Sequence, residues 1–157
     1  MRTAALALVL AALGCGPVPG GSLDGEPAAP PTDWTQALGG DRAFCEIESR
    51  PADPHSIQLE CFAVDGALHA QSHRWALASW WPTESWAAIW LEHPDVRVRI
   101  DGKLYDLRAV RVSDPAVRDP ILKARGYDPV PEGIVLFRFE SGDVRRDVKT
   151  RDADEPS

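Results

Sequence analysis

The sequence has few cysteines, no surplus of basic residues and no long hydrophobic run, and each shortage excludes a class of protein. Lys and Arg number 17 against 24 Asp and Glu, so the net charge of -7 argues against a nucleic-acid-binding face. The longest apolar run, Ala4 to Leu13, is shorter than the roughly 20 residues that a membrane-spanning helix needs. The three cysteines form no Cys-x-x-Cys pair, which argues against a zinc motif, and no metal site is expected. The glycine-rich phosphate loops of nucleotide-binding folds do not occur.

The first 14 residues have the features of an export signal. Arg2 precedes the apolar run, and small residues follow it up to Cys15. The stretch ALGC, Ala12 to Cys15, resembles the bacterial lipobox, in which the cysteine becomes the lipidated first residue after cleavage. This resemblance implies a lipoprotein held in the cell envelope by acyl chains on Cys15, facing the periplasm or the outer surface. An ordinary secretory signal is the alternative.

Composition divides the rest of the chain into three parts. Residues 15–41 are rich in Pro and Gly and poor in large apolar side chains, which predicts a flexible tether. Residues 42–142 are enough for one small folded domain. Residues 143–157 are polar throughout and predict a disordered tail.

The folded part opens with a predicted hairpin. Ala43 to Arg50 and Ser56 to Val64 both alternate apolar and polar residues around a short turn. A hairpin symmetric about Asp53 places Cys45 directly opposite Cys61, where the β-carbons are close enough for a disulfide. Because an exported protein meets an oxidising compartment, the pattern predicts a Cys45–Cys61 disulfide, with two buried free thiols as the alternative.

The remaining pattern predicts four more strands and two helices. The strands are Ala67–His73, Asp95–Ile100, Lys103–Val112 and Gly133–Ser141, and the helices are Pro82–His93 and Asp114–Gly126, with a break at Pro120. An Asp-Gly pair between alternating runs is a strong hairpin signal. The expected fold is mainly β (α+β): a six-stranded antiparallel split β-barrel with one helix after strand three and a short helix before the last strand.

Five of the six tryptophans lie between residues 73 and 94. Trp86 and Trp90 are four residues apart in the predicted helix, a spacing typical of a buried stripe. Trp80 and Trp81 lie in the preceding loop, where core packing explains them poorly. The loop therefore favours contact with a ligand.

Ser85 to Leu122, SWAAIWLEHPDVRVRIDGKLYDLRAVRVSDPAVRDPIL, resembles the central block of the deazaflavin-dependent nitroreductase and quinone reductase family. That family belongs to the split β-barrel class of pyridoxamine 5'-phosphate oxidase-like flavin proteins, and the resemblance extends over about Ala43 to Ser141. It implies a deazaflavin or FMN lying against the barrel and hydride transfer to a quinone, nitro compound or other small acceptor. It also implies a homodimer with the cofactor at the interface.

The resemblance also implies a cofactor site. Arg50 and Ser56 correspond to the loop that grips phosphate in the family, although acidic Asp53 stands in the middle of this loop. The loop before the first long helix corresponds to a cofactor- and substrate-contacting region, and its candidate residues are His73, Arg74, Ser79, Trp80, Trp81 and Trp86. No acid, base or nucleophile stands out, so the catalytic residues are unknown.

Three functional hypotheses remain open at this point. The first is a reductase in which the protein binds and orients a flavin or deazaflavin. The second is a non-catalytic envelope lipoprotein that binds a small apolar or aromatic ligand, or a protein partner, in a degenerate cofactor cleft. The third is a stable domain without a small ligand.

Overall fold

A computed structural model describes residues 20–49, 54–72 and 85–142. Seven strands lie in these ranges: β1 (Glu26–Pro27), β2 (Arg42–Ser49), β3 (His55–Val64), β4 (Ala67–Ser72), β5 (Asp95–Ile100), β6 (Lys103–Arg111) and β7 (Val135–Ser141). The helices are α1 (Trp34–Leu38), α2 (Trp86–Glu92) and α3 (Pro115–Ala124). None of these helices combines the length and the apolar character needed to cross a bilayer.

Strands β2 to β7 form a closed antiparallel barrel in the order β6-β5-β2-β3-β4-β7, and β7 pairs back onto β6. The predicted fold class is therefore confirmed. Alternation along the strands separates an inner from an outer face, as in β5, where Val96, Val98 and Ile100 are buried. The two Asp-Gly turns, at residues 65–66 and 101–102, have positive φ at both positions, which matches the twist of tight hairpins.

Two helices cover the two ends of the barrel. At one end, α1 packs against β2, β3 and β4, and its Trp34 ring meets the edge of Tyr105 with centroids 4.9 Å apart. At the other end, α2 packs against β2 and β6 and places Trp90 in the barrel core. The interior is thus filled with side chains.

The flexible tether predicted for residues 15–41 is wrong for its described part, residues 20–41. Residues 20–28, called the N-terminal strap below, lie along the barrel, and β1 within them pairs in parallel with β6. Leu23, Trp34 and Leu38 are buried. Composition missed this because a few well-placed apolar residues and backbone hydrogen bonds to a preformed barrel are enough to order a segment that has no core of its own.

The β2–β3 hairpin exists as predicted, but its register differs by two residues. Cys45 lies opposite Leu59, and Cys61 lies opposite Ala43. A shift by an even number keeps every side chain on its expected face, so both cysteines still point into the core. They are diagonal neighbours and free thiols in this structure, so the alternative of two buried thiols describes it, and the directly opposed disulfide does not.

The two helices that the sequence predicts, α2 and α3, differ from their predicted descriptions. Helix α2 begins at Trp86 rather than Pro82, because the Ser85 side chain accepts a hydrogen bond from the Ala88 N–H at 3.2 Å and caps it there. Helix α3, capped by Asp114, continues through Pro120 instead of breaking. A proline in the second turn removes one backbone hydrogen bond. Leu122 retains the helix by packing in a second apolar cluster, called the outer core below, with Phe62, Ile134 and Leu136.

Candidate functional site

The end of the barrel covered by α2 carries a cluster of aromatic rings. The Trp86 and Trp90 ring centroids are 4.4 Å apart, and Trp90 meets Phe137 and Phe139 nearly edge-on at 5.2 and 5.5 Å. Trp90 is only 1% exposed, whereas Trp86 is half-buried. This cluster, together with Ser49, is called the aromatic end below. It confirms the prediction that Trp90 is core and places Trp86 at the boundary between core and surface.

A buried hydrogen bond holds the aromatic end together. The Trp90 indole Nε1–H donates to the Ser49 Oγ at 2.8 Å, and both residues are buried. Because a buried indole N–H without an acceptor is costly, this bond fixes the angle at which α2 lies against β2. Trp86, one turn before Trp90, is thereby held over Phe137 with its centroid 6.0 Å away.

Ser56, the predicted phosphate ligand in the first hairpin, is closed off by the N-terminal strap. The Gly20 N–H donates to the Ser56 carbonyl at 2.8 Å, and the Ser56 N–H donates to the Gly20 carbonyl at 2.9 Å. A Cβ atom at position 20 would lie 2.5 Å from the Ser56 Oγ, so the strap fits tightly against this side chain. Ser56 is 6% exposed and points away from the interior, whereas Trp86 packs on core residues. The two predicted site residues thus lie at the same end of the barrel but on different faces.

The other predicted site residues lie outside the described residues. These are Arg50, His73, Arg74, Ser79, Trp80 and Trp81 of the predicted cofactor site, and Cys15 of the predicted lipidation site.

The acidic residues beneath the strap are paired. Glu48 is 6% exposed and accepts a hydrogen bond from the Leu23 N–H at 2.5 Å, with an Arg97 nitrogen 3.8 Å away. Glu46 forms an ion pair with Arg99 at 2.5 Å. Within the described part of the chain, no group of three or more His, Cys, Asp or Glu side chains is placed to hold a metal ion. Glu46 and Glu48 thus hold the strap and its neighbouring strands in place.

His69 is a buried residue that sequence reasoning did not single out as important. It is 2% exposed, its ring stacks on Phe62 at 5.5 Å, and neither ring nitrogen has a hydrogen-bond partner among the described residues. Burial lowers the pKa of His69 to about 4. The Ala67 carbonyl and the Asp65 carboxylate raise this pKa, and the positive charge of Arg138 lowers it further, but burial has the largest effect. Only the tertiary structure shows this, because β4 gains its cover on that face from α3 and the following loop.

The two core cysteines are protected rather than reactive. Both Cys45 and Cys61 are fully buried. Burial raises the pKa of the Cys61 thiol, and the neighbouring Cys45 raises it further. Since the thiolate is the reactive form, Cys61 has the properties of a core residue rather than a nucleophile.

A cavity of about 280 Å³ lies at the opposite end of β2 and β3 from Ser49 and Ser56. Its walls come from the start of β2, the end of β3 and the end of α3: Asp41, Arg42, Phe62, Ala63, Val64, Ala124 and Arg125. Arg125 already pairs with Glu60 and lies over the Phe62 ring, so its charge is engaged. Neither Trp86 nor Ser56 borders this cavity.

Comparison with solved structures finds distant structural similarity. The chain is similar to the crystal structure of a protein from Listeria innocua named "putative pyridoxamine 5'-phosphate oxidase", with 15% sequence identity and a TM-score of 0.45. The match covers 61% of this chain and 81% of that one. No family model matches the sequence, and no curated protein matches it either.

Proposed function

We propose that this protein binds a small planar aromatic ligand at the aromatic end of its barrel, beside Trp86. The observation that carries the proposal is the half-buried Trp86 ring, held in place by Trp90 and Phe137. A ring fixed on one side and accessible on the other is a stacking surface with little entropy left to lose on binding. Trp80 and Trp81, which precede α2 closely in the sequence, are proposed as further walls of this site.

A flavin or deazaflavin ring suits such a surface, but the described residues do not suit its phosphate. Ser56 is 6% exposed beneath the strap and its backbone N–H is paired with Gly20, so an anion cannot reach its hydroxyl while the strap is in place. Ring recognition without phosphate recognition among the described residues favours binding without catalysis. We therefore place non-catalytic ligand binding ahead of hydride transfer and derive no reaction step through a bound cofactor.

A flavin- or deazaflavin-dependent reductase is the second candidate. It is supported by the six-stranded barrel together with the resemblance of Ser85 to Leu122 to the reductase family. In that case the chain's own residues would bind and orient the ring, and the redox chemistry would be the cofactor's. A homodimer belongs to the same proposal, and the molecular mass in solution tests it.

We further propose that acyl chains on Cys15 anchor the protein in a bacterial cell envelope. The support is the signal-like apolar run followed by ALGC. Replacing Cys15 with Ala should move the protein from the membrane fraction to the soluble fraction. Retention of Cys15→Ala in the membrane would contradict this proposal.

Titration of the purified protein with lumiflavin, riboflavin and FMN tests the ligand proposal. If the ring alone is recognised, as proposed, all three should quench tryptophan fluorescence saturably and with similar affinity. Trp86→Leu should weaken binding at least about tenfold, the loss of one aromatic stacking partner. Trp34→Phe, at the opposite end of the barrel, is the matched control and should bind normally.

Two results would change the assignment. No saturable quenching by any ring, or unchanged binding by Trp86→Leu, would contradict the site. Much tighter binding of FMN than of riboflavin would show a working phosphate site and restore the reductase as first candidate. Oxidation of reduced deazaflavin by a quinone, faster with protein than without, would establish that second function directly.

A further inference from the structure

The N-terminal strap is clamped to the barrel along its whole length. Its first residue, Gly20, forms two backbone hydrogen bonds with Ser56, and the Asp24 carbonyl accepts one from the Arg99 side chain at 2.9 Å. Further along, the Glu26 and Ala28 N–H groups donate to the Gly102 and Leu104 carbonyls at 2.9 and 2.8 Å. Leu23 is buried between these points. The chain is therefore held to the barrel from residue 20 onward.

This clamp shortens the connection between the barrel and the proposed lipid anchor. Only four residues, 16–19, separate Cys15 from Gly20, and two of them are prolines. Five extended residue steps reach at most about 17 Å. Had the tether run freely from residue 15 to residue 41, the same estimate would allow about 90 Å. Ordering of the strap therefore removes most of the distance that could separate Cys15 from the barrel.

The point at which the clamp begins also fixes which end of the barrel is near the anchor. Ser56, the partner of Gly20, adjoins the His55–Ser49 pair at the turn end of the β2–β3 hairpin. Ser49 in turn accepts the hydrogen bond from Trp90 of α2. The short connection thus leaves the barrel at its aromatic end, and α1 lies at the far end.

We propose that the aromatic end faces a lipid bilayer, with the headgroup surface as its partner and the four residues after Cys15 as the restraint. The inference rests on the proposed lipidation of Cys15 and adds an orientation to it. A net charge of -7 gives the protein no attraction to anionic lipid. The short connection to the lipid anchor is therefore what holds the aromatic end at the headgroup surface. Its α1 end is then directed away from the membrane.

Quenching of a protein-bound dye by a nitroxide at the membrane surface tests the orientation on the full-length lipidated protein. The protein is reconstituted in phosphatidylcholine vesicles that contain a lipid with a nitroxide on its headgroup. One dye is attached through His93→Cys, at the exposed end of α2, and the matched dye through Gln36→Cys, on the exposed side of α1. Native Cys45 and Cys61 are fully buried and do not compete for the label.

The His93→Cys dye should be quenched several-fold more strongly than the Gln36→Cys dye. A flexible Gly/Ser insertion of about 20 residues between Pro19 and Gly20 should make the two nearly equal, because the barrel can then turn freely. Equal quenching without the insertion would overturn the orientation while leaving the anchor intact. A preference that survives the insertion would overturn the role of the short connection. Failure to bind the vesicles at all would overturn both the anchor and the orientation.

Discussion

The barrel interior and the outer face beneath α3 are both hydrophobic cores, but they differ in the hydrogen bonding of their buried polar groups. In the interior, the Trp90 indole N–H is satisfied by Ser49. The outer core, formed by Phe62, Leu122, Ile134 and Leu136, lies beside buried polar atoms that have no hydrogen-bond partner in the described ranges. These atoms are both ring nitrogens of His69, the Oε1 of Gln71 and the Nε of Arg125.

This difference shows where the fold is sensitive to conditions. An apolar core in which the buried indole N–H is paired responds to loss of volume and hardly to pH. A core that borders an unpaired imidazole responds to protonation as well, because the charged form is poorly solvated there. We therefore expect packing changes in the interior to have the largest effects, and acid to act through the outer core.

Trp90→Ala should have the largest effect of the changes considered. Removing a side chain that is 1% exposed from between Phe137 and Phe139 should lower the free energy of unfolding by about 3–5 kcal/mol, by about the same amount at pH 7 and pH 5. Urea unfolding measures this. Leu91→Ala, its 43% exposed neighbour on α2, is the control and should change stability by less than about 0.5 kcal/mol. Similar losses for both variants would show that the interior is not close-packed around Trp90.

Acid should destabilise the protein through His69. The folded-state pKa of about 4 lies below the unfolded value of 6.5, so the unfolded chain binds the proton more readily. The contribution of neutral His69 to the free energy of unfolding is therefore fully present above pH 6.5. It is lost as the pH drops towards 4, by about 3 kcal/mol in all. Urea midpoints between pH 7 and pH 4 measure the loss. His69→Phe should remove this part of the pH dependence, and identical pH profiles for variant and wild type would rule out His69 as its source.

Ser49→Ala should cost about 2 kcal/mol, because the Trp90 N–H would remain buried without its acceptor. Ser72→Ala is the matched control: Ser72 is also buried on the inner face, and the described residues provide no hydrogen bond to it. Thermal unfolding of the two variants side by side provides the comparison. A larger loss in Ser72→Ala than in Ser49→Ala would argue against the importance of the indole bond.

Tyr127→Phe should have the smallest effect, about 1 kcal/mol. The Gln71 side-chain amide donates to the Tyr127 hydroxyl, and this bond ties the loop after α3 to β4. Because the bond is only partly buried, water can replace the lost oxygen. Hydrogen exchange of the amides in residues 126–134 should increase more than exchange in β5. Uniform changes in both regions would show that the bond acts on global stability rather than on the loop.

Much of the fold could be predicted because it depends on local periodicity. Alternation identified all six barrel strands, and the Asp101-Gly102 pair identified its hairpin because a tight turn needs positive φ there. The hairpin register could not be read the same way. A two-residue shift leaves the alternation of faces unchanged, so the pattern cannot distinguish Cys45 opposite Cys61 from Cys45 opposite Leu59.

The candidate site was predicted less well than the fold. Helical spacing predicted both Trp86 and Trp90 as core residues, but Trp86 is only half-buried, at the edge of the core. Ser56 matched a family position in the sequence, but the strap closes it. Nothing in the composition of residues 20–28 indicates that closure, because it depends on hydrogen bonds to strands that are distant along the chain.

The sequence by itself determined the alternation that makes a small antiparallel barrel and the spacing that sends Trp90 inward. These are local properties, set by side-chain order and turn geometry. The tertiary structure alone decided the order of the N-terminal strap, the closure of Ser56 and the burial of His69. Each depends on which surface another segment covers, and the energy of covering a surface depends on contacts between segments rather than on the residues of either segment alone.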